Sequence, residues 1–359
     1  MFVGLCRLRY GLQYGAGCLL LLTAIATGFA RPSRLRSPWD EYAVKATDAP
    51  YRCPSVTIPP VDLVTEGFYA DNDSTHSIVD PVKMKAYAES SGPVKQEGNQ
   101  VVAAADAFRT TGSLDAARCV IQHMEAEARG RSLTGRMSSR QAYYVQGWVL
   151  GAQALAYLKV RDAGVISKEQ SAVIQPWLRE VARQTREFYE AKEKQDPASQ
   201  NNHLYWAAVE LAAVGIAADH RDDFNWAMRS AREGIASILP DGTLPQEMKR
   251  GARALHYHLY AAAPLVMLAE LGAANGIDLY SSENGALKHL VQVSTAGLQD
   301  SQLFQRRTGL KQEISMPPSG EAIGWVRPYL RRFPDPEIAR LFALCRNPAY
   351  MYLGGLPPK

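Results

Sequence analysis

The 359-residue chain predicts one all-α domain built from many antiparallel helices. Apolar residues recur at helical intervals, as at Tyr144, Trp148 and Leu155, and strand-like alternation is almost absent. The connections are short and carry helix breakers, such as Pro240-Asp241-Gly242. Because no fixed-period repeat is present, the spacing leaves two arrangements open, a bundle or a ring of helical hairpins. Candidate helices lie near 81–91, 96–109, 113–129, 138–160, 167–191, 203–219, 222–237, 246–273, 283–299 and 321–344.

Residues 1–30 have the pattern of a secretory signal peptide. Arg7 and Arg9 precede an uncharged, mostly apolar stretch, which ends in small residues before Arg31-Pro32. The apolar run is shorter than the roughly 20 residues of a membrane span, which favours cleavage over the alternative of an anchor helix. We therefore expect a periplasmic or secreted protein with no membrane span after cleavage, and a single domain over 31–359.

The composition is that of a soluble globular protein, with 47% hydrophobic and 21% charged residues. The formal net charge is +4, and removal of residues 1–30 takes away Arg7 and Arg9 and no acidic residue. Nucleic-acid-binding proteins usually carry a basic run or stripe, and none is present. We therefore expect no nucleic-acid partner, while a local basic cleft for an anionic substrate stays possible.

Five cysteines are present, and Cys6 and Cys18 fall in the signal segment. An oxidising compartment favours one disulfide and one remaining thiol among Cys53, Cys119 and Cys345. Spacing does not determine the connectivity. We expect Cys53 to pair with Cys119, and the alternative is three unpaired thiols.

A polar group opens the apolar helix expected after residue 202. Asn201 is suited to cap this helix, and Asn202 and His203 follow it directly. The helix dipole disfavours a protonated imidazole in the first turn, so His203 can act as a neutral base or hydrogen-bond donor. Ordinary helix capping is the alternative interpretation.

A second group lies in residues 244–260. If the segment is one helix, Arg250 and Tyr257 stand seven residues apart and within about 20° of each other. Arg253 and Tyr260 flank the same line. A stripe of guanidiniums and phenols suits a polar cleft, whereas the alternative is a buried tyrosine pair with arginines extending to solvent.

Gln141, Tyr144 and Trp148 form a third group, spaced i, i+3 and i+7. An amide beside aromatic rings suits sugar binding, although core packing is the commoner origin of such a pattern.

Metal motifs are not matched: the segment starting at Asp71 lacks the glycine of a calcium loop, and His256 and His258 are two apart on a predicted helix. The chain also has no phosphate loop, dinucleotide fingerprint or nucleophile elbow.

Together these segments resemble the alginate lyases of polysaccharide lyase family 5. The resemblance rests on Asn201-Asn202-His203-x-Tyr205-Trp206, on Leu244-Pro-x-Glu247-x-Lys249-Arg250 and on Arg253-Ala-Leu-x-Tyr257-His258-x-Tyr260. It covers most of residues 50–330, includes Cys53 and Cys119, and becomes thinner after Ser301. The resemblance implies an (α/α) toroid, an incomplete barrel of helical hairpins, around a deep cleft with a lid loop at about 67–80.

The resemblance also implies cleavage of an anionic polysaccharide by β-elimination, without metal or organic cofactor. Asn202, His203 and Arg250 would neutralise the uronate carboxylate, and Tyr257 would protonate the leaving oxygen. In mannuronate cleavage Tyr257 would also remove the C5 proton, and His203 would be the base for a proton on the other face. We expect Arg250 to lower the pKa of Tyr257.

The residues assigned to neighbouring sugars are Tyr69, Gln141, Tyr144, Trp148, Trp206, Arg253, His256 and Tyr260. Phe68 stands where alginate-selective members carry lysine, and His256 replaces a small residue. Both departures favour keeping a broad polyuronate lyase as the alternative to a mannuronate enzyme.

A non-catalytic binding protein of an export system and a helical hydrolase are further alternatives, although a hydrolase needs a carboxylate pair and only Glu247 lies near. We expect a monomer.

Overall fold

The computed structural model describes residues 34–193 and 200–358, so the predicted signal peptide lies outside the described residues. Within these ranges the chain is helical with isolated β-bridges only. The α-helices are α1 (Pro81–Thr111), α2 (Leu114–Arg129), α3 (Arg140–Val160), α4 (Lys168–Glu193), α5 (Asn202–Ala217), α6 (Arg221–Ala236), α7 (Pro245–Met248), α8 (Ala254–Ala273), α9 (Ala286–Gln299), α10 (Gln302–Thr308), α11 (Gly320–Ile323), α12 (Val326–Arg332) and α13 (Pro336–Ala343). The 3₁₀ helices are Pro38–Glu41, Gly251–Arg253, Ser282–Gly285 and Met351–Leu353.

Local side chains define several helix starts. The Asp80 carboxylate accepts hydrogen bonds from the backbone N–H groups of Val82 and Lys83, and Pro81 occupies the first helical position of α1. At the start of α5 the Asn201 side chain accepts from the His203 N–H at 3.0 Å. The predicted cap is therefore present, and it places Asn202 and His203 in the first turn.

The helices form two layers of an α/α toroid. Helices α1, α3, α5 and α8 pack against one another in series, and α2, α4, α6 and α9 cover them from outside. Helices α3, α5 and α8 are buried on nearly all sides, since apolar residues occupy almost their whole circumference. The predicted all-α toroid is confirmed, and its inner helices carry the candidate site.

Four helix predictions were wrong in their limits. Residues 81–91 and 96–109 belong to one helix, α1, because Pro93 sits on its exposed side and does not end it. The predicted 246–273 helix breaks at Gly251, which has a φ of +56°. Three short helices replace the predicted 321–344 helix, and α10 was not predicted.

The N-terminal lead-in, residues 34–66, is tied to the toroid. Cys53 and Cys119 form a disulfide with 5.5 Å between their Cα atoms, which confirms the predicted pair. Farther along, the Leu63 N–H donates to the Arg136 carbonyl at 3.0 Å, and the lid segment begins a few residues later. Cys345 is partly buried and keeps a free thiol. Among the described residues, no helix is long and apolar enough to cross a membrane.

Candidate active site

Arg250 and Tyr257 meet at the cleft, although they do not share a helix. Arg250 lies in the turn between α7 and α8, and its Cζ atom stands 3.4 Å from the centroid of the Tyr257 ring. The expectation of one continuous helical stripe was therefore wrong, because the 3₁₀ turn at Gly251–Arg253 interrupts it. The turn nevertheless brings the guanidinium over the phenol ring, in a cation–π contact.

Burial raises the pKa of Tyr257 well above its usual value. Arg250 and Arg253 act in the opposite direction, but they offset only part of this effect. The expected lowering by Arg250 is present, but the net pKa is raised because the lost hydration of a buried phenolate outweighs the nearby positive charge. Tyr257 therefore rests as a neutral phenol that can donate a proton.

The lid loop, residues 67–80, lies over this pair. The Tyr69 hydroxyl hydrogen-bonds the Tyr257 hydroxyl and accepts a 2.9 Å hydrogen bond from Arg253. Arg250 donates to the backbone carbonyls of Thr75, at 2.8 Å, and His76. The lid tyrosine and two lid carbonyls thus contact the same side chains that the resemblance assigns to the substrate.

The lid has an internal framework centred on Asp73. Its carboxylate accepts from the N–H groups of Thr75, Ser77 and Ile78 at 2.9, 2.6 and 2.6 Å. Burial alone would raise the pKa of Asp73, but these bonds and the one from the Thr75 hydroxyl outweigh burial and lower it. At the base of the lid Phe68 packs 4.9 Å from the ring of Tyr87, so an aromatic contact stands where the resemblance expected a cation.

Asn202 is held from below by a buried carboxyl group. Its backbone N–H and its Nδ2 donate to the two oxygens of Glu247, at 2.9 and 2.8 Å. Burial raises the pKa of Glu247, while the Asn202 hydrogen bonds and the Arg250 charge oppose the shift. Glu247 is one residue whose positioning role sequence reasoning missed, although it belongs to the matched motif.

His203 lies against the aromatic face of α3. Its ring stacks on Tyr144, with 3.7 Å between centroids and 8° between planes, and lies 6.0 Å from Trp148. Gln141, one turn earlier on α3, lies near Tyr87, whose pKa burial raises to about 12. The third predicted group therefore faces the cleft beside His203.

The α5 and α8 side chains continue the aromatic surface. Tyr260 packs 5.0 Å from Trp206 and 6.4 Å from Trp148, and His256 stacks 6.1 Å from Tyr260. Burial, followed by the charges of Arg253 and Arg250, lowers the pKa of His256 to about 3. His256 is therefore neutral near pH 7 and adds no positive charge to the cleft.

Three predicted site residues have buried polar atoms that lack a protein hydrogen-bond partner within the described ranges. These atoms are Asn202 Oδ1, Trp206 Nε1 and Gln141 Nε2. Most buried polar groups in proteins are paired, and such exceptions often mark a place where a polar ligand binds. The amide, indole and carboxamide groups suit the hydroxyl and carboxyl groups of a sugar acid.

Two cleft tyrosines were not anticipated from the sequence. Tyr352 stacks 5.1 Å from Trp148, and Tyr350 meets Trp206 edge-on at 5.8 Å. Both follow the part of the chain in which the family resemblance thins, and they have no helical spacing. The available signal is the run Tyr350-Met-Tyr352-Leu-Gly354-Gly355, in which two aromatics precede a glycine turn.

One group of side chains in the described part of the chain has the proximity of metal ligands. It comprises Cys53, Cys119 and His123, whose ligand atoms lie within 4.8 Å of one another. The two sulfur atoms are bonded to each other, so neither is a thiolate ligand. The expectation that the protein uses no metal or cofactor stays a prediction.

Comparison with known proteins agrees with this arrangement. A family model described as "Alginate lyase" matches residues 68–304. A "Polysaccharide lyase" of Stenotrophomonas maltophilia is 35% identical over 288 residues, which cover 79% of this chain and 82% of that protein. An "Alginate lyase" of Pseudomonas syringae pv. syringae is 29% identical, with coverage of 80% and 76%.

Solved structures match the same fold. Alginate lyase A1-III from Sphingomonas species A1 superposes with a TM-score of 0.73, at 22% identity, over 90% of this chain and 89% of that one. The toroid, its lidded aromatic cleft and these relatives define the chain as a polysaccharide lyase. It belongs to the alginate lyase family, polysaccharide lyase family 5.

Proposed function

We propose that this lyase cleaves a 4-linked polyuronate by β-elimination, with poly-β-D-mannuronate as its first substrate. The observation that carries the proposal is the contact of Arg250 with the neutral phenol of Tyr257 beneath the lid. The guanidinium supplies a permanent positive charge for a carboxylate, and the phenol supplies a proton for a leaving oxygen. Elimination needs both at neighbouring atoms of the sugar.

In the proposed reaction a base removes the C5 proton of the uronate. The electron pair forms the C4=C5 double bond, and the bond between C4 and the glycosidic oxygen breaks. Tyr257 protonates that oxygen, which stays on C1 of the departing sugar as a new reducing end. The other fragment keeps an unsaturated uronate at its non-reducing end.

The carboxylate at C5 must be neutralised before the C5 proton becomes acidic enough to remove. We assign this task to Arg250, Asn202 and His203. Glu247 takes one Asn202 N–H, which fixes the side chain and leaves the other Nδ2 N–H to donate to the carboxylate, while the unpartnered Oδ1 can accept from a sugar hydroxyl. A preorganised polar group of this kind stabilises developing charge without reorganisation.

The base depends on which face of the sugar carries the proton. We assign His203, stacked on Tyr144, to one face and Tyr257 to the face presented by mannuronate. Tyr257 can act as base only as a phenolate, which burial disfavours. Arg250 at 3.4 Å is the charge that would stabilise the phenolate once the substrate displaces the lid contacts.

A broader polyuronate activity is the second candidate. Phe68 packs on Tyr87, and His256 is neutral near pH 7, so these two positions add no cation that selects one uronate. Polyglucuronate and hyaluronan-type chains would then also be cleaved. The disulfide and the signal-like leader support action outside the cytoplasm, and we propose the periplasm.

The test is incubation of the exported protein with mannuronate-rich alginate, guluronate-rich alginate, polyglucuronate and hyaluronan. Elimination gives ultraviolet absorbance from the unsaturated uronate, fastest with mannuronate under the first proposal and comparable across substrates under the second. New reducing ends without this absorbance would indicate a hydrolase. If none of the four polymers is cleaved, the non-catalytic binding protein becomes the better description.

The matching variant is Tyr257→Phe. We expect it to lower turnover by about 10³ while leaving substrate binding intact, because only the transferable proton is removed. Tyr143→Phe is the control, since Tyr143 stacks on Phe188, 4.2 Å away, and has no part in the proposed chemistry. Near wild-type turnover in Tyr257→Phe would refute its role.

A further inference from the structure

The last described residues form a strap beside the cleft. This C-terminal strap, residues 346–358, contains the 3₁₀ helix Met351–Leu353 and a closed turn. Tyr350 and Gly355 exchange backbone hydrogen bonds of 3.1 and 3.0 Å. Gly354 and Gly355 have φ values of +73° and +89°, which glycine adopts without a steric cost. The turn thereby sets the positions of both strap tyrosines.

A buried ion pair anchors the strap to the toroid. Lys159 on α3 contacts Asp106 on α1 at 2.5 Å, and its ammonium also donates to the carbonyls of Gly354 and Leu356. The other Asp106 oxygen accepts from the Leu356 N–H at 2.8 Å. A buried ion pair is stable when hydrogen bonds satisfy both charges, and here the strap backbone supplies those bonds.

The anchored strap brings two tyrosines to the sugar-facing aromatics. Tyr352 stacks on Trp148 at 5.1 Å and meets Trp206 at 6.2 Å, while Tyr350 meets Trp206 at 5.8 Å. Both tyrosines stay partly exposed. Beside them, Trp206 Nε1 has no protein hydrogen-bond acceptor among the described residues, so its N–H is available to a ligand hydroxyl next to the strap.

A cavity that can take a ligand lies against Tyr260, whose ring packs 5.0 Å from that of Trp206. The cavity, of about 200 Å³, is lined by Tyr260 and Glu321, with Ser315 and Ser319 on the facing loop. After burial, Glu321 is the largest influence that raises the pKa of Tyr350, so its carboxyl group lies near the strap as well. Aromatic faces, hydroxyls and a carboxyl group are the surfaces that bind the C–H faces and hydroxyls of a sugar ring.

We propose that the strap forms a sugar-binding wall, in which Tyr352 and Tyr350 hold a uronate residue outside the bond-cleaving position. The proposal rests on the polyuronate lyase function. Lys159 is the positioning residue of this wall, since it touches the strap backbone and no cleft ring. The sugar stacks on Tyr352, and its hydroxyls reach the phenol of Tyr350 and the Trp206 N–H.

The test separates substrate capture from chemistry. We expect Tyr352→Ala to raise the KM for polymannuronate about tenfold while kcat changes less than twofold, because one stacking contact with a distant sugar is lost. Tyr352→Phe keeps the ring and should keep most of the affinity. The control is Tyr143→Ala, which removes an aromatic ring from the same toroid away from the cleft. An unchanged KM in Tyr352→Ala would overturn the proposal.

A binding measurement keeps this outcome distinct from a failure of the proposed activity. Tyr257→Phe protein titrated with hexamannuronate should show a change in tryptophan fluorescence, and adding Tyr352→Ala should weaken its Kd about tenfold. Wild-type protein that cleaves no polyuronate would refute the activity alone, and this titration would still decide the strap. Equal Kd values in both proteins would refute the strap.

The role of Lys159 is tested by non-additivity. We expect Lys159→Met to raise KM as Tyr352→Ala does, and the double variant to be no worse than Lys159→Met, since a displaced strap no longer presents Tyr352. If the KM increase of the double variant equals the product of the two single-variant increases, Lys159 does not position the wall. If Lys159→Met does not fold, Tyr352→Ala alone decides the proposal.

Discussion

The lid loop and the C-terminal strap both bring tyrosines to the cleft, but they are held in opposite ways. The lid is ordered internally by Asp73, and its contacts across the cleft are with Arg250, Arg253 and Tyr257. The strap is held by the buried Lys159, in the scaffold beneath the cleft. A substrate that binds Arg250 and Tyr257 must compete with the lid, whereas it leaves the strap anchor untouched.

The difference separates two tasks of the binding surface. A segment attached to the proposed reacting groups can exchange places with the substrate, which suits opening and closing. A segment attached to the scaffold keeps its geometry and suits a fixed wall. Variants that damage the scaffold, the strap or the lid should therefore give distinguishable changes in stability and KM.

The largest effect concerns the scaffold helix α3, which carries the strap anchor. Glu210 of α5 packs against Gly147 and Gly151 of α3, and burial raises its pKa to about 8. In the unfolded chain this carboxyl group ionises near its usual pKa of about 4.3. The contribution of Glu210 to the free energy of unfolding is therefore fully present below that pH and is lost as pH rises toward 8. Stability should fall by at most about 1.4 kcal/mol per pH unit in this window.

Glu210→Gln should flatten this part of the stability profile, because an amide does not ionise. Urea unfolding at pH 5, 6, 7 and 8 measures the slope for both proteins. Glu233→Gln, at an exposed position on α6, controls for the loss of one carboxylate. Parallel profiles for wild type and Glu210→Gln would show that Glu210 is not held in its neutral form.

The next effect concerns the strap turn. A Cβ atom at Gly355 would lie 2.1 Å from Asp106 Oδ2 and 2.6 Å from Val102, and the residue has a φ of +89°. We expect Gly355→Ala to destabilise the protein by about 1–3 kcal/mol and to raise KM, measured by thermal unfolding and the elimination assay. Gly67→Ala, at the lid base, has no atom within 4 Å of the added Cβ and should change little. Equal behaviour of the two variants would contradict the anchored strap.

The smallest effect concerns the lid. Asp73→Ala removes the acceptor for three lid N–H groups, so the closed loop should be less populated. We expect KM to fall about three- to tenfold, because the closed lid competes with the substrate for Arg250 and Tyr257, and the free energy of unfolding should change by less than about 1 kcal/mol. Asp71→Ala, which removes one exposed ion pair with Lys83, is the control. A large loss of stability in Asp73→Ala would mean that the lid belongs to the cooperative core.

Most of the fold was predictable because apolar spacing on long helices is a local property of the sequence. The break before α8 was not predicted, since the apolar and aromatic spacing of residues 246–273 continues across it. Gly251 is the residue that permits the break, with its φ of +56°. Arg250 and Tyr257 still meet, but through a turn and not through a shared helical face.

The candidate site was predictable where its residues fall in compact motifs. Asn202, His203, Arg250 and Tyr257 come from two short segments, and the structure places them on neighbouring inner elements. Tyr350 and Tyr352 lie on a strap that is held by long-range contacts, among them those of Lys159 and Asp106, and such contacts leave no periodic pattern. The raised pKa of Tyr257 is likewise a tertiary property, because it depends on how completely the folded chain removes the phenol from water.

The two fixed ends of the lid give Tyr69 a high effective concentration at Tyr257. Leu63 is bonded to the Arg136 backbone on one side, and Asp80 caps α1 on the other. Because the loop between these two ends is short, the Tyr69 hydroxyl competes with the substrate for Tyr257 as an intramolecular ligand. A single sugar makes few contacts with the cleft and displaces the lid poorly, while a long chain adds the contacts of several neighbouring sugars. We therefore expect the enzyme to discriminate by chain length, and to release short products readily as the lid returns.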